Sequence, residues 1–259
     1  MSPTPWKTAI TDTSEGRLVV RGVEISDAIE YLSFGAMVYL LWKGQPPSAG
    51  AARVMDAILV SSVDHGTTAP SPLAARVVMS GGNPLNAAVA AGVLAIGDSH
   101  GGAIEACAKL YQAWLMTSDE IPDVARLAPL IVEEFQQKQI RVPGYGHRVY
   151  QRDPRTLKLI EIAEREKLRG RAVDLALAIQ DELEKRSGGK PLPLNVDGAI
   201  AALMSDLGFD WKLGKGFFIL SRTAGLIAQA NEERSREKPM RSFGQSAPEY
   251  DGPRDVKLD

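Results

Sequence analysis

The stretch GYGHRVYQRDPR, residues 144–155, is the most informative part of this sequence. It places His147 directly after a glycine and before an arginine, and it ends in an Asp-Pro-Arg step. A loop this polar cannot bury an imidazole in a hydrophobic core. A glycine beside a histidine, in contrast, lets a ligand approach the backbone while the ring shares or exchanges a proton. Pro154 suits the first position of a helix. The stretch therefore predicts a ligand-binding loop that leads into a helix.

Two further histidines also lie beside glycine at predicted helix ends. His65 stands in VDHGTTAPS, residues 63–71, and His100 stands in IGDSHGGAIE, residues 96–105. A hydrogen-bonded structural histidine is the plain alternative for each one taken alone. The same setting for all three histidines of the chain favours a functional role.

Asp197 is the candidate carboxylate. It stands in PLPLNVDGAIAAL, residues 191–203, after an apolar run and just before a predicted helix. One interpretation is that Asp197 is only the N-cap of that helix. The other is a base in an apolar setting, where desolvation raises the pKa of the carboxyl group.

Most of the chain has helical periodicity, which predicts an all-α fold. The exception is GRLVVRG, residues 16–22, which indicates a short strand or β-hairpin. One helix is expected from Ser26 to about Gly44, with a set of apolar residues on one side: Ile29, Leu32, Met37, Leu40 and Leu41. Ser48 is expected to cap the next helix.

The rest of the chain continues this helical pattern. The Ala- and Gly-rich segment LNAAVAAGVLAIG, residues 85–97, predicts a buried central helix. Further helices are expected over about 121–138, from Asp153 onward, and over about 171–186, 195–206 and 214–233. We expect one domain over residues 1–259, with an N-terminal extension (1–15) and a polar tail (234–259) that is disordered alone or packs on a neighbouring subunit.

Composition and charge exclude several classes of function. The 259 residues include 30 Lys and Arg against 32 Asp and Glu, so the cationic surface that nucleic acids or anionic membranes require is not expected. The N-terminus lacks the apolar core of a signal peptide, and no run of 18 apolar residues occurs, which predicts a cytoplasmic protein. The single cysteine, Cys107, excludes an internal disulfide framework and is expected to be a buried small hydrophobe.

A zinc or iron site is a further possibility, because histidine and aspartate are ordinary ligands of these metals. However, the sequence has no HxH, HxxxH or HExxH spacing that would present two ligands on one face. Arg148 would also place a cation beside any metal at His147. We therefore expect no metal.

Taken together, these segments resemble the citrate synthase superfamily. The motifs VDHGTTAPS, GDSHGGAIE, GYGHRVYQRDPR, LNVDGAIAAL and FFILSRTAGLIAQANEE occur in the family's order, and GRLVVRGVEIS and YLLWKGQPPS resemble its N-terminal signature. The resemblance covers Gly16 to Glu233, and GHRV followed by DPR is its most specific part. It implies a citrate synthase-like helical fold in a homo-oligomer, at least a dimer, with the active site in a cleft between helices.

The form of the motifs is most similar to citryl-CoA lyases, including the lyase module of ATP-citrate lyase. Only one short predicted helix separates KGQPP from the Asp-His motif, and DHG and NVDG resemble the lyase patterns. The resemblance implies coenzyme A (CoA) chemistry without metal, in which citryl-CoA is interconverted with acetyl-CoA and oxaloacetate. The alternatives are a citrate synthase, a lyase for a related 3-hydroxyacyl-CoA or 2-oxo acid, and a non-catalytic CoA-binding subunit.

The resemblance also implies a role for each candidate residue. His100 would hydrogen-bond the thioester carbonyl, Asp197 would move the methyl proton, and His147 would exchange a proton with the oxaloacetate carbonyl. The residues expected to bind the substrate carboxylates are His65, Arg155, Arg222 and Arg241, the last contributed by a neighbouring subunit. The expected CoA-binding loop comprises Val142, Pro143, Gly144, Tyr145 and Gly146.

Overall fold

The computed structural model describes residues 6–116, 123–146, 151–244, 249 and 252. Within these residues the fold is helical, with one small sheet near the N-terminus. The helices are α1 (Ile25–Tyr31), α2 (Phe34–Lys43), α3 (Ala49–Ser61), α4 (Pro70–Ser80), α5 (Leu85–Leu94), α6 (Ala103–Leu115), α7 (Val124–Gln137), α8 (Pro154–Arg165), α9 (Arg171–Arg186), α10 (Val196–Asp206) and α11 (Gly214–Arg236). None of the helices in this part of the chain is long and apolar enough to cross a membrane.

The sheet has one strand more than the expected hairpin. Its strands are β1 (Thr11–Asp12), β2 (Val19–Val20) and β3 (Val23–Glu24), in the antiparallel order β1-β2-β3. The predicted segment supplies β2, β3 follows directly after it, and β1 pairs with β2 from within the expected N-terminal extension. The polar composition of that extension gave no strand signal.

The single helix expected from Ser26 to Gly44 is wrong, because the chain breaks into α1 and α2. Leu32 is extended, and the Oγ of Ser33 accepts a hydrogen bond from the backbone N–H of Ala36 at 3.2 Å. Ser33 is therefore an N-cap within the predicted helix. As a result, Ile29 is 77% exposed instead of lying on the buried face with Leu40. Ser48 caps α3 as expected, through a bond from Ala51 N–H.

The expectation of a buried central helix at residues 85–97 is also wrong for a single chain. α5 packs on α4 and α11, and a side chain at Gly92 would collide with Leu226, but only Ala88 and Gly92 are buried. Leu94, at the end of the helix, is 84% exposed. The opposite side of this apolar helix faces outward in the single chain.

The centre of the core is α10, which packs between α6 and α9 and has eight buried residues. At its C-terminal end the carboxylate of Asp206 accepts hydrogen bonds from the backbone N–H groups of Gly170, Ala172 and Val173. These bonds satisfy the first turn of α9, whose donors have no partner within the helix. α10 is thus fixed at one end, and its other end opens into the candidate site.

Part of the polar tail folds back on its own chain. α11 continues three residues beyond the expected end, and Met240 N–H donates to the carbonyl of Ser80 at 2.9 Å. Arg241 donates to both carboxylate oxygens of Glu233. The tail is therefore bonded to the end of α4 through Met240 and to α11 through Arg241, within the same chain.

Candidate active site

The expected site residues converge on one cleft. A cavity of about 250 Å³ lies where α4, α6, α8, α10 and α11 meet. Its walls include five of the predicted residues: His65, His100, Arg155, Asp197 and Arg222. Residues from distant parts of the chain thus share one small volume.

His100 is held by the first turn of α4. Its Nε2 lies 2.8 Å from the Oγ of Ser71, and the backbone N–H of Ser71 donates to the same nitrogen at 3.4 Å. Because an amide N–H can only donate, we assign Nε2 as an acceptor, which leaves the ring proton on Nδ1. Burial, and then the charges of Arg222 and His65, lower the pKa of His100. The ring is therefore a neutral donor.

Phe218 separates the imidazole of His100 from the guanidinium of Arg222. Its ring packs edge-on against His100, with 5.5 Å between the centroids, and the Cζ of Arg222 lies 4.6 Å from its centroid. The turn after His100 must come very close to this ring, because a Cβ on Gly101 would lie 2.5 Å from Phe218. Gly101 also has φ +87°, which favours glycine.

Arg222 is a buried cation in the wall of the cleft. Its Nε donates to the backbone carbonyl of Ser62 at 3.0 Å. Burial lowers the pKa of Arg222, although the nearby carboxylates of Asp64 and Asp197 act in the opposite direction. A buried positive charge that faces a cavity is suited to an anionic ligand.

Arg155 is oriented by Asp153. Its Nε and Nη2 donate to the two carboxylate oxygens of Asp153, at 3.0 and 2.8 Å. The same carboxylate caps α8 through Arg155 N–H and accepts from Val196 N–H at 3.3 Å. One buried acid thus fixes the arginine and joins the start of α8 to the start of α10.

Asp197 lies in the first turn of α10 and lines the cleft. The N-cap is Asn195, whose Oδ1 accepts from the backbone N–H groups of Asp197 and Gly198 at 3.1 Å. The interpretation of Asp197 as the N-cap is therefore wrong. Its carboxylate is held at a helix N-terminus, where the helix dipole favours negative charge.

The expected CoA-binding loop is hydrogen-bonded to residues at the start of α10. The carbonyl of Gly144 accepts from Asn195 N–H at 2.9 Å, and Gly146 N–H donates to the carbonyl of Pro193 at 2.7 Å. Asn195 Nδ2 donates to the carbonyl of Gly146 at 3.2 Å. A Cβ on Gly144 would lie 2.5 Å from the Sγ of Cys107, so this close approach requires glycine.

The same loop borders a second cavity of about 510 Å³. Val142, Tyr145 and Gly146 line it, together with the cationic side chains of Arg141 and Lys190. The side chain of Tyr145 is held in place because its hydroxyl donates to the carbonyl of Ala176 at 2.9 Å. The loop therefore borders this larger cavity, and Asn195, to which it is hydrogen-bonded, lines the cleft.

Two predicted residues are not placed in the cleft. His147 lies outside the described residues. Arg241 is described but does not line the cleft, because it pairs with Glu233 on its own α11. Its expected contribution to a neighbouring subunit stays a prediction.

Four positioning residues were missed from the sequence: Ser71, Asp153, Asn195 and Phe218. Each stands within a quoted motif, but only Asp153 and Asn195 had a usable signal, as capping residues before a helix. Ser71 contacts His100 across 29 positions, which no local pattern reveals.

Among residues 6–116, 123–146 and 151–244, no group of three or more His, Cys, Asp or Glu side chains is arranged to hold a metal ion. The expectation of a metal-free site stays a prediction.

Known proteins resemble this chain in sequence and in fold. The citrate synthase C-terminal domain matches residues 44–242. ATP-citrate synthase subunit 1 of Sordaria macrospora is 27% identical over 251 residues, which cover 90% of this chain and 36% of that protein. This chain thus spans little more than a third of that relative's length.

Two solved structures share the fold. Citryl-CoA lyase from Hydrogenobacter thermophilus is 42% identical, with TM-score 0.89 over 98% of this chain and 97% of that one. ATP citrate lyase from Methanothrix soehngenii, in complex with citrate and coenzyme A, is 26% identical, with TM-score 0.82 over 100% of this chain and 44% of that one. The matched domain, the helical fold and the order of the motifs together show that the chain belongs to the citrate synthase family of enzymes.

Proposed function

We propose that this enzyme interconverts citryl-CoA with acetyl-CoA and oxaloacetate. The observation that carries the proposal is the cleft that combines a neutral imidazole donor, a carboxylate and two guanidinium groups. The similarity to citryl-CoA lyase over nearly the whole of both chains supports cleavage as the reaction.

In cleavage, the hydroxyl of citryl-CoA loses its proton and becomes the carbonyl of oxaloacetate, while the C–C bond breaks toward the thioester. The released electron pair forms an enolate, whose oxygen is stabilised by the Nδ1–H of His100. Asp197, which in the cleavage direction starts as the protonated carboxylic acid, then delivers its proton to the enolate carbon, which becomes the methyl group of acetyl-CoA, and is left as the carboxylate. His147 is predicted to accept the hydroxyl proton.

The substrate carboxylates would be bound by Arg155 and Arg222, with a hydrogen bond from His65. A guanidinium group can make two parallel bonds to a carboxylate, and Asp153 holds that of Arg155 in one orientation. These fixed cations would orient the substrate so that the bond to be broken lies between His100 and Asp197.

CoA would bind along the loop of residues 142–146 and enter the larger cavity beside it. Arg141 and Lys190 line this cavity and would provide positive charge for the phosphates of the nucleotide end. The thioester would then reach His100 past Gly146 and Asn195.

The proposal includes a homodimer whose subunits pack through α4 and α5. This face exposes the apolar side chains of Leu73, Val77, Leu85 and Leu94. α5 is apolar apart from Asn86, only Ala88 and Gly92 of it are buried, and its alanines allow a second helical surface to approach closely. A second copy of the same face would be matched to it in polarity.

The decisive assay mixes acetyl-CoA, oxaloacetate and enzyme and follows free CoA thiol. A lyase should form citryl-CoA with little release of CoA, and should cleave added citryl-CoA. Rapid stoichiometric release of CoA would contradict the lyase proposal and favour a citrate synthase.

The same assay also tests two rival functions, one by changing the substrate and the other by changing the enzyme. Faster turnover with a different 2-oxo acid would indicate a related 3-hydroxyacyl-CoA as the substrate. Turnover that disappears in Asp197→Ala, in a protein that still melts cooperatively, would exclude a non-catalytic CoA-binding subunit.

A further inference from the structure

Two buried polar atoms in the wall of the cleft lack a hydrogen-bond partner within the described part of the chain. They are the Oγ of Ser62 and the Nη1 of Arg222. Buried polar atoms of side chains are nearly always paired, so an unpaired one needs an explanation. The other two such atoms, in Ser80 and Thr156, belong to residues that do not line the cleft.

The two atoms belong to residues in direct contact. The carbonyl of Ser62 accepts from the Nε of Arg222, which brings the hydroxyl-bearing residue against the guanidinium group. Ser62 is 2% exposed and Arg222 is 3% exposed, and both line the cavity. None of the ion pairs found among the described residues involves Arg222, so its buried charge is bonded to a neutral carbonyl.

We propose that Ser62 Oγ and Arg222 Nη1 together bind one carboxylate of the 2-oxo acid, which makes Ser62 a specificity-determining residue. This inference rests on the proposed function. A carboxylate is the ligand that satisfies both donors, since one oxygen accepts from the guanidinium and the other from the hydroxyl. The ring of Phe218 packs against the guanidinium group, with its centroid 4.6 Å from the Cζ of Arg222.

The test compares Ser62→Ala with Ser62→Thr, which keeps a hydroxyl, and with Ser61→Ala as the matched control. Ser61 is adjacent, but its Oγ donates to the carbonyl of Ile58 and it does not line the cleft. Ser62→Ala should raise the KM for oxaloacetate about 10-fold, the loss of one hydrogen bond to a charged group. The KM for acetyl-CoA should change less than about twofold, and Ser62→Thr should restore most of the oxaloacetate affinity.

Folding is checked in the same variants. Because Ser62→Ala removes an unpaired buried hydroxyl, its melting temperature in the absence of ligand should not fall. Ser62→Cys, which keeps the shape but has a weak S–H donor, should show the same loss of oxaloacetate affinity. A purely structural role of Ser62 predicts the reverse, lower stability with an unchanged KM.

Calorimetric titration with citrate separates this inference from the proposed reaction. If wild-type protein has no lyase activity but Ser62→Ala binds citrate about 10-fold more weakly, the carboxylate site stands and the proposed function fails. If Ser62→Ala binds citrate and uses oxaloacetate as wild type does, the inference is overturned. Wild-type protein that binds neither citrate nor oxaloacetate would overturn it as well.

Discussion

The Nε2 of His100 lies 2.8 Å from the Oγ of Ser71, and the backbone N–H of Ser71 is directed at the same nitrogen. The first turn of α4 therefore sets the tautomer of the imidazole as well as its direction. With Nε2 occupied, Nδ1–H is the only ring donor left for a substrate. In the proposed reaction, Ser71 would therefore position His100 to stabilise the enolate.

Ser71→Ala should lower kcat about tenfold, because the ring loses its side-chain partner but keeps the backbone N–H of residue 71. His100→Ala, which removes the donor itself, should cost about 10²–10³-fold in rate with little change in CoA affinity. Steady-state kinetics in the condensation direction measures both. Equal losses for the two variants, or a loss below tenfold for His100→Ala, would contradict these roles.

The lowered pKa of His100 predicts how the enzyme responds to acid. Burial keeps the ring neutral to a pH below its ordinary value of 6.5, so catalysis by this group should persist to below pH 6.5 and be lost as pH falls through the folded-state pKa. In that window the unfolded state binds more protons, so stability also decreases as pH falls. An NMR titration of the His100 ring should show a midpoint below 6.5, and a midpoint at or above 6.5 would contradict the neutral donor.

The helical fold and five of the cleft residues could be predicted from the sequence, because periodicity and glycine-flanked histidines are local patterns. The break at Ser33 could not, because apolar residues continue on both sides of it. The strand β1 could not be predicted either, because it is only Thr11 and Asp12 and forms by pairing with β2.

The residues that position the cleft residues were harder to predict than the cleft residues themselves. Ser71 and Phe218 act on His100 through contacts between residues 29 and 118 positions apart along the chain. Asn is a common N-cap residue, but one of the two interpretations of the sequence gave the capping role to Asp197, two residues later. α5 was expected to be buried because it is rich in alanine and glycine, but in a single chain only Ala88 and Gly92 of it are buried.

Asn195→Ala should weaken CoA binding as well as stability. The side chain caps α10 and also donates to the carbonyl of Gly146, so its removal leaves the expected CoA-binding loop held to the start of α10 only by its two backbone hydrogen bonds. We expect a loss of about 0.5–2 kcal/mol in the free energy of unfolding, typical of an N-cap. The KM for acetyl-CoA should rise more than that for oxaloacetate. Asp210→Ala, which removes the cap of a short 3-10 turn away from the loop, is the matched control and should leave both KM values unchanged.

Glu233→Gln should be among the most destabilising single changes. Glu233 is 1% exposed and bonds both Arg76 and Arg241, so the change removes the buried charge that the two arginines share and leaves each with only its second acidic partner, Glu232 or Glu237. The expected loss is about 3 kcal/mol, the lower end for breaking a buried ion pair, measured by urea unfolding. Glu232→Gln, in a more exposed acid that also pairs with Arg76, should cost much less.

The same ion pairs give Glu233 a pH signature. Hydrogen bonds from Arg241, followed by the other contacts with the two arginines, lower the pKa of Glu233 below its ordinary value of 4.5. Its contribution to stability is therefore present above pH 4.5 and lost as pH falls through the folded-state pKa. Glu233→Gln should flatten this acid dependence, and an unchanged slope would contradict the assignment.

Ala90→Arg should convert the proposed dimer into a monomer. Ala90 is exposed on α5, and a guanidinium group there would be buried without a partner when two copies of the α4–α5 face meet. Light scattering coupled to size-exclusion chromatography measures the mass. Ala113→Arg, at an exposed position of α6 outside this face, is the control and should leave the mass unchanged. A monomeric wild type would contradict the proposed dimer, and a dimer that survives Ala90→Arg would place the contact elsewhere.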